Sequence, residues 1–532
     1  MSARNSRVFL LFFAFYFLIF TSAFSAEQPP ADPAVKQGQD YLEAWRLPEA
    51  EQVIAQLARA RPGAPEILDL QAWLAFYQGR YAESLRTAEK SLALDSTNER
   101  RQGLRLLAQR TNDTVKKLKS YESAHFVLFL DPDRDDILAP LALDTLERSY
   151  QALGEVFNYR PQAKVRVEIA PDAPAFNAIS TLSLRDIEET GAVGICKFNK
   201  VMIISPRALL QGYRWLDSLS HEYVHYVIVA VSNNKAPIWL HEGMARFYET
   251  RWRGQPQPKG RPDYLTAPNE TLLARALEKN EFVGFKKMEP SLIYLDTPEQ
   301  VQLAYAEAAS AVDFMVEKKG SEGIRRLMSE VAQKPTPEAI ATLLGTSYSD
   351  FETDWKNFLK GKGLKETAGS RVRKLKVAGQ KEDEEAVELK EIQSVVARNR
   401  THMGDRLRES GRMVAAAQEY RRALQGSPHS TIILNKLARV LIHLGQPQEA
   451  LPHLKEARVL DPDSVTTLVL LGSAYQATKD FGGARDALEE AIHINPFNPM
   501  IYQILYQAET ALGDASGAQN AKATLEKLMR PR

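Results

Sequence analysis

The chain has 532 residues, with 68 Lys and Arg against 67 Asp and Glu, so its formal net charge is +1. This length exceeds what one hydrophobic core supports, and we expect about two to four domains. The balanced charge argues against a nucleic-acid-binding protein and against electrostatic attachment to membranes. The single cysteine, Cys196, excludes an intramolecular disulfide and a thiolate zinc cluster.

The N-terminus reads MSARNSRVFLLFFAFYFLIFTSAFSAEQPP. Arg4 and Arg7 precede an unbroken apolar run over 8–20, and small residues follow, which is the order found in secretory signal peptides. Residues 1–25 are therefore predicted to be a cleaved signal. The alternative is an uncleaved anchor, because 8–24 is 17 residues long, the lower limit for crossing a bilayer. Both alternatives predict an exported protein, periplasmic or secreted, which contacts the membrane only if this segment is retained.

Two repeated units are predicted over residues 35–112. Their spacing matches that of a longer array near the C-terminus, at these positions: Trp45, Ala50, Leu57 and Pro62 in the first unit, and Gly79, Ser84, Ala88, Ser91 and Asp95 in the second. Two such units alone are marginally stable, because each needs neighbours to bury its apolar faces. We therefore expect this pair to dock on the central domain.

The central region, residues 118–362, alternates strand and helix patterns before becoming helical. HFVLFLD, KVRVEIA and VMIIS have the β-rich apolar composition of strands, and a helix is predicted between the first two, over 135–157. GAVGICKFNKVMIIS is also predicted to be extended, which makes Cys196 a buried structural thiol, with a nucleophile as the less favoured alternative. Helices follow up to SDFETDWKNFLKGKG.

WLDSLSHEYVHYVIVAV, residues 215–231, has the apolar spacing of a helix. His221 and His225 are four residues apart, so they stack on one helix face and can bind the same metal ion. Glu222 is angled to reach a water molecule without binding the ion. Zinc needs a third protein ligand, and PIWLHEGMARFYE supplies Glu242 at the start of a second helix.

Residues 363–394 are charged and poor in large apolar residues, so they are predicted to be a linker that leads into a polar helix. Residues 395–530 contain about four units with a period of 34 residues, marked by Ala416, Ala450, Ala484 and Ala518 and closed by Pro428, Pro462 and Pro496. This pattern resembles the tetratricopeptide repeat, in which small residues lie where paired helices touch. The resemblance extends to 35–112 and implies a concave surface that binds a protein partner.

The central region resembles the gluzincin metallopeptidases, in particular the peptidase-MA-like domains that accompany tetratricopeptide repeats in exported bacterial proteins. Their second motif, Trp-Leu-x-Glu-Gly, is matched by Trp239, Leu240, Glu242 and Gly243. The resemblance covers about 118–362 and is specific around the two motifs. It implies that His221, His225 and Glu242 bind Zn2+ and that Glu222 is the general base.

The resemblance also implies a reaction. Zinc lowers the pKa of water toward about 7 and polarises the scissile carbonyl. Glu222 takes the water proton and delivers it to the leaving amine. An extended peptide is expected to pair with an edge strand, for which residues 194–203 are the candidate. The substrate would then be a protein or peptide.

An oxyanion donor is needed as well. After His241 the next histidine is His402, outside the central region, so a histidine is excluded and four tyrosines are available: Tyr264, Tyr294, Tyr305 and Tyr348. Tyr305 is predicted, because it opens the helix YAEAASAVDF, where related domains often carry tyrosine. A tyrosine that only packs between helices is an equal alternative.

Two departures from relatives bear on the site. Thermolysin-like enzymes orient the first histidine with an aspartate four residues after the third ligand, where this chain has Arg246. Asp217, four residues before His221, is predicted to replace it. His241 stands where relatives often have asparagine, and it is predicted either to contact substrate or to cap the helix. GAVGI, residues 191–195, has no acidic residue where aminopeptidases of this clan grip the free amine, although Glu188 and Glu189 are close. This favours an endopeptidase or an enzyme for some other peptide-like substrate.

The sequence thus predicts an α+β zincin-like catalytic domain, a mixed sheet followed by a helical subdomain, flanked by all-α tetratricopeptide solenoids and mostly α overall. The predicted function is an exported zinc metallopeptidase whose repeats recruit a protein partner. The alternative is a non-catalytic repeat scaffold with a relic peptidase domain. An intact Glu222 favours the enzyme, because a relic has no reason to keep it.

Overall fold

A computed structural model describes residues 32–254, 262–372, 375–378 and 389–530. The predicted signal peptide, residues 1–25, lies outside these ranges, as does part of the predicted linker. Among the helices that are described, none is both long enough and apolar enough to cross a bilayer.

The N-terminal repeats form five helices: α1 Pro33–Glu43, α2 Leu47–Ala60, α3 Pro65–Tyr77, α4 Tyr81–Leu94 and α5 Glu99–Val115. Asp32 caps α1 by accepting a hydrogen bond from the backbone of Ala34, and a proline opens α1 and α3. Ala50 and Ala88 are fully or almost fully buried, because small side chains let paired helices approach closely.

The central domain is built on a mixed five-stranded sheet, with β1 Lys119–Glu122, β2 Phe126–Leu130, β3 Val165–Ala170, β4 Gly194–Lys197 and β5 Lys200–Ile204. The strand order is β1-β2-β3-β5-β4, in which β2, β3 and β5 are parallel and the outer strands β1 and β4 are antiparallel to their neighbours. Phe198 and Asn199 turn β4 into β5 with φ of 57° and 59°, the left-handed backbone of a two-residue hairpin. Of residues 194–203, the candidate edge strand, only Gly194–Lys197 is at the edge of the sheet, because the turn places the remainder in β5, which is paired on both sides.

Helices cover and extend this sheet: α6 Leu138–Phe157, α7 Ala173–Ser180, α8 Leu184–Thr190, α9 Trp215–Ser232, α10 Ile238–Tyr248, α11 Ala267–Lys279, α12 Pro298–Val331, α13 Thr336–Leu344 and α14 Tyr348–Gly361. α9 is buried between the sheet and α10, and α10 packs closely on α12. A Cβ atom on Gly243 of α10 would lie 2.5 Å from the carbonyl oxygen of Ala308 in α12. Only glycine permits this approach. It brings α12 close to α10 at Gly243, the residue after the predicted ligand Glu242.

The C-terminal repeats form eight helices: α15 Val395–Glu409, α16 Met413–Gly426, α17 Thr431–His443, α18 Pro447–Leu460, α19 Val465–Ala477, α20 Phe481–Ile492, α21 Pro499–Leu512 and α22 Ala515–Met529. The phased alanines Ala416, Ala450 and Ala484 are all fully buried in the second helix of their units. The predicted fold class is confirmed: a small mixed sheet and a helical region lie between two helical repeat arrays in a mostly helical chain.

The N-terminal repeats dock on the sheet, as the sequence predicted. Tyr81 of α4 donates a hydrogen bond of 2.6 Å to Glu168 of β3, and Lys200 of β5 donates one of 2.7 Å to the same carboxylate. Trp73 of α3 stacks on Phe198 with ring centroids 5.9 Å apart. Burial alone would neutralise Glu168, but Lys200 and a neighbouring arginine hold the pKa of its carboxyl well below the usual range. The interface therefore combines aromatic packing with hydrogen bonds between Tyr81 and a buried ion pair of the sheet.

The C-terminal repeats dock on the loop that leads into α9, which the sequence did not reveal. The indole Nε1 of Trp215 donates to the carbonyl of Ile492 at 3.0 Å, and the backbone N–H of Tyr213 donates to Ile494 at 3.1 Å. Gly212 has φ of 69°, and a Cβ there would lie 2.5 Å from the Ile494 carbonyl oxygen. The loop is thus fixed against the third C-terminal repeat by hydrogen bonds to its backbone.

Candidate metal centre and catalytic cleft

Three predicted ligands meet where α9 faces α10. The Nε2 atoms of His221 and His225 are 3.1 Å apart, and Glu242 Oε2 lies 3.3 Å from the first and 3.5 Å from the second. In a tetrahedral zinc site with bonds of about 2.0–2.1 Å, ligand atoms are separated by roughly 3.3–3.4 Å. The three atoms therefore have the separations of three corners of a zinc tetrahedron.

The chemistry of these side chains also fits a divalent cation. Glu242 Oε2 is buried and accepts no hydrogen bond from the described residues. Burial favours neutral forms here, yet the nearby carboxylates of Glu242 and Glu249 raise the pKa of His221 to about 10, and the histidines hold the pKa of Glu242 well below its usual range. A positive charge between the Glu242 carboxylate and the two imidazoles is therefore favourable. A zinc ion would supply this charge while both imidazoles stay neutral.

The residue that orients His221 is Glu249, which the sequence analysis did not identify. Glu249 Oε2 lies 2.9 Å from His221 Nδ1, and Arg246 Nη1 donates to the same carboxylate at 2.9 and 3.2 Å. A carboxylate on the second nitrogen of a ligating histidine fixes its tautomer and ring orientation. Arg246 therefore binds the Glu249 carboxylate, and that carboxylate is the partner of His221 Nδ1.

The prediction that Asp217 orients His221 is wrong. Its carboxylate accepts hydrogen bonds from Trp252 Nε1 at 3.0 Å and from Arg253 at 3.1 and 2.5 Å. Asp217 is on the expected turn of α9, but its carboxylate is bound by residues of the short helix Arg251–Arg253, which follows α10. A signal for Glu249 was present in the sequence, since it lies seven residues after Glu242, two helical turns along the same face.

The predicted base Glu222 is buried against the edge strand. Burial raises the pKa of its carboxyl, and the backbone N–H of Cys196 in β4 donates a hydrogen bond to it. A Cβ on Gly194 would lie 2.7 Å from Glu222 Oε1, so glycine leaves the space that this carboxylate occupies. Burial and the nearby Glu222 raise the pKa of the Cys196 thiol well above its ordinary value, which fits the structural role predicted for this cysteine.

Of the four available tyrosines, Tyr305 lies at the ligands. It is on α12 in the wall of the cleft, with the Arg246 guanidinium 5.6 Å from its ring centroid. Burial and the Glu242 carboxylate raise the pKa of its hydroxyl well above the ordinary value, so it stays a proton donor. The others are placed differently: the Tyr264 hydroxyl donates to Asp313 at 2.9 Å, Tyr294 is 52% exposed, and Tyr348 packs on Phe351.

His241 lies beside the ligands without joining them. Its ring centroid is 5.5 Å from that of His225, while the group of ligand atoms close enough to share an ion comprises His221, His225 and Glu242. Burial and the adjacent His225 lower the pKa of His241 to about 3, so it is a neutral imidazole in the cleft wall. This position is compatible with the predicted contact to substrate.

These residues lie in a cleft of about 2270 Å³ that extends beyond the metal ligands. Its walls include β4, α8 and α12 of the central domain and side chains from both repeat arrays. Such a volume exceeds the roughly 300–1,000 Å³ of common small-molecule pockets.

The fold and the site together define a zinc-peptidase-like domain between two repeat arrays. Residues 177–361 match the Peptidase MA superfamily, and residues 35–99 and 429–495 match tetratricopeptide repeat families. The chain therefore contains a Peptidase MA superfamily domain flanked on both sides by tetratricopeptide repeats, which confirms the predicted arrangement.

Two curated rice proteins are similar over part of the chain. DnaJ protein P58IPK homologs B and A of Oryza sativa subsp. japonica are 32% and 31% identical over 106 residues, which is 19% of this chain and 22% of each relative. The chain thus matches about a fifth of the length of these relatives.

Among solved structures, MamA is 28% identical over 24% of this chain and 74% of its own, with a TM-score of 0.23. Yeast LTA4 hydrolase in complex with bestatin is 10% identical over 77% of this chain and 67% of its own, with a TM-score of 0.30.

Proposed function

We propose that the protein is a zinc-dependent peptidase that cleaves within polypeptide chains. The observation that carries this proposal is the meeting of three metal-ligand atoms, from His221, His225 and Glu242, at separations of 3.1–3.5 Å beside the buried carboxyl of Glu222. The Glu249 contact to His221 and the Arg246 contact to Glu249 support an intact site rather than a relic, because a non-catalytic scaffold has no need of either.

Each side chain has a defined task in this reaction. A zinc ion held by His221, His225 and Glu242 would polarise the scissile carbonyl and make water acidic enough to react at neutral pH. Glu222 accepts a proton from the attacking water and passes it to the leaving amine nitrogen. Because burial raises its pKa, this carboxylate is a stronger base toward the water proton than an exposed one.

Tyr305 is the proposed oxyanion donor. Its hydroxyl remains protonated because burial and the neighbouring Glu242 raise its pKa, so it can donate a hydrogen bond to the negative oxygen that develops on the scissile carbonyl. The Arg246 guanidinium over its ring helps to hold the side chain in the cleft wall.

Cleavage within a chain, rather than at its N-terminus, is supported by two features. β4 is an edge strand beside Glu222 and offers unpaired backbone groups to an extended peptide. Residues 191–195, which line the cleft, contain no carboxylate to bind a free amino group.

The proposal includes export and a protein partner for the repeats. The charged n-region and the apolar run of residues 8–20 support export to the periplasm or the exterior, either cleaved or anchored. The repeat arrays support a protein partner, because such solenoids present extended concave surfaces. Fractionation of expressing cells, with N-terminal sequencing of the recovered protein, tests export; recovery of an unprocessed chain in the cytosol would contradict it.

Catalysis is tested with Glu222→Gln. This variant should bind one zinc ion per chain with wild-type stoichiometry and lose proteolysis of a denatured protein substrate by at least about 100-fold, since only the proton transfer is removed. His225→Ala should lose both zinc and activity, whereas His402→Ala, an exposed histidine outside the site, should lose neither. Unchanged proteolysis by Glu222→Gln would contradict the mechanism, and a zinc-free wild-type protein would contradict the proposal itself.

A further inference from the structure

The N-terminal repeats form one end of the catalytic cleft. Trp45, between α1 and α2, packs against Tyr226, the residue after the ligand His225, with ring centroids 5.4 Å apart. Asn234, which follows α9, donates a hydrogen bond of 3.1 Å to the carbonyl of Glu43. Further out, Leu106 of α5 lines the cleft with 46% of its surface exposed. An exposed leucine at this point is apolar surface that a bound chain would cover.

The C-terminal repeats form the other end. Arg214, one residue before α9, is hydrogen-bonded to Asp463 and donates to the carbonyl of Pro462 at 3.1 Å. Both of those residues line the cleft, together with the exposed Arg458 in the last turn of α18. Asp463 is close enough to Arg246 to contribute to the raised pKa of that guanidinium, so this wall lies near the metal ligands.

The distance between the two ends can be estimated from α9. Its 18 residues separate Arg214, at the C-terminal repeats, from Asn234, at the N-terminal repeats, and both line the cleft. At about 1.5 Å per residue the helix is roughly 27 Å long. An extended chain advances about 3.3 Å per residue, so roughly eight residues fill this length.

We infer that the substrate-binding cleft is composite: both repeat arrays are walls of it, and the protein selects an extended polypeptide segment of about eight residues over short peptides. This inference rests on the proposed peptidase function and adds its substrate class, an unfolded or flexible stretch of protein chain. The repeats then act on the reacting chain itself, beyond any separate partner that they recruit.

The test uses binding, so that it does not depend on turnover. Overlapping peptides of about twelve residues that tile β-casein are screened for binding to the zinc-loaded Glu222→Gln protein, and the tightest binder is also synthesised as its central four or so residues. Binding of both peptides to the zinc-loaded Glu222→Gln protein is measured by titration calorimetry. The longer peptide should bind at least about 10-fold more tightly, because both repeat walls contact it.

Two variants in the Glu222→Gln background locate the effect. Leu106→Ala and Arg458→Ala should each reduce the ratio of long-peptide to short-peptide affinity by roughly threefold to 10-fold, since each removes one wall contact. The matched controls are Leu94→Ala, a 57% exposed leucine on α4, and Arg439→Ala, an exposed arginine on α17, both away from the cleft. The controls should leave the ratio unchanged, and all four proteins should keep the thermal stability of their parent.

The outcomes separate this inference from the proposed function. Equal affinity for the two peptides, or equal losses with Leu106→Ala and Leu94→Ala, would overturn the composite cleft even if wild-type protein cleaves both peptides. Absence of zinc, or absence of cleavage by the wild type while the long peptide still binds preferentially to Glu222→Gln, would overturn the proposed function and leave the composite cleft supported.

Discussion

The two repeat arrays attach to the central domain through different chemistry. On the N-terminal side, aromatic rings pack together across the interface, and the Tyr81 hydroxyl donates to Glu168, which forms a buried ion pair with Lys200 within the sheet. On the C-terminal side, Arg214 and Arg253 are each about one-quarter exposed and pair with Glu490 across the interface. The first interface resembles a domain core, whereas the second adds partly exposed charges to hydrogen bonds with the backbone of Ile492 and Ile494. The comparison indicates that salt and charge substitutions should affect the C-terminal contact more than the N-terminal one.

The C-terminal contact also includes residues at the start of α9. Arg214 directly precedes α9, and Arg253 also binds Asp217 within α9. The proposed zinc ligands His221 and His225 are both on that helix. A disturbance of the charged interface should therefore reach the metal site, while a disturbance of the buried interface should mainly reduce stability.

The largest effect is expected for Glu168→Ala. It leaves Lys200 buried without its carboxylate, and an uncompensated buried charge costs about 3–5 kcal/mol. Chemical denaturation should show this loss in the free energy of unfolding. Glu83→Ala, which breaks only an exposed pair with Arg80, is the control and should change stability by less than about 0.5 kcal/mol. A similar small loss for both variants would contradict a buried Lys200 that depends on the Glu168 carboxylate.

The next effect is expected at Glu249. Glu249→Ala removes the partner of His221 Nδ1 and should weaken zinc binding by about 10–100-fold, the usual range for a carboxylate behind a ligating histidine. Glu249→Gln keeps an acceptor and should recover part of that loss. Competition with a chromogenic chelator measures the affinities.

Asp217→Asn is the matched comparison for Glu249, because the sequence alone favoured Asp217. The amide oxygen of this variant can still accept a hydrogen bond from Trp252 Nε1, and the side chain at this position does not contact His221. Zinc affinity should therefore change by less than about threefold. A larger loss of zinc affinity with Asp217→Asn than with Glu249→Ala would restore the prediction made from the sequence.

The smallest effect is expected for Glu490→Ala, at about 1–2 kcal/mol, because the two arginines that it pairs with are partly exposed and retain other carboxylates. Its distinguishing feature is salt dependence. Hydrogen exchange of residues 205–214 should increase in this variant, and about 0.5 M NaCl should bring the wild type toward the same rate through screening. The neighbouring Glu489→Ala is the control. If the exchange rate of residues 205–214 changes neither with salt nor in Glu490→Ala, the hydrogen bonds to the backbone carbonyls of Ile492 and Ile494 alone hold this interface.

The parts predicted from the sequence were those encoded over short distances. His221 and His225 are one helical turn apart, and the period of 34 residues fixes the pairing of repeat helices within each array. Residues 194–203 were predicted to be extended from their composition, but the turn that divides them into the edge strand β4 and the interior strand β5 was not predicted.

The parts that the sequence did not predict depend on distant pairs. Arg214 and Asp463 are 249 positions apart, and no periodicity links them. Asp217 had the right spacing to orient His221, but Trp252 and Arg253 compete for it, and only the path of the chain after α10 brings them there. Local spacing gives the residues that can meet, whereas tertiary contacts decide which of them do.

The most direct test of the account is X-ray absorption spectroscopy at the zinc edge of the purified full chain, beside its metal content. The account predicts one zinc ion per chain, with a first shell of two imidazole nitrogens at about 2.0–2.1 Å and oxygen ligands, and loss of imidazole scattering in His225→Ala. A protein that takes up no stoichiometric zinc, or zinc whose shell lacks histidine, would contradict it.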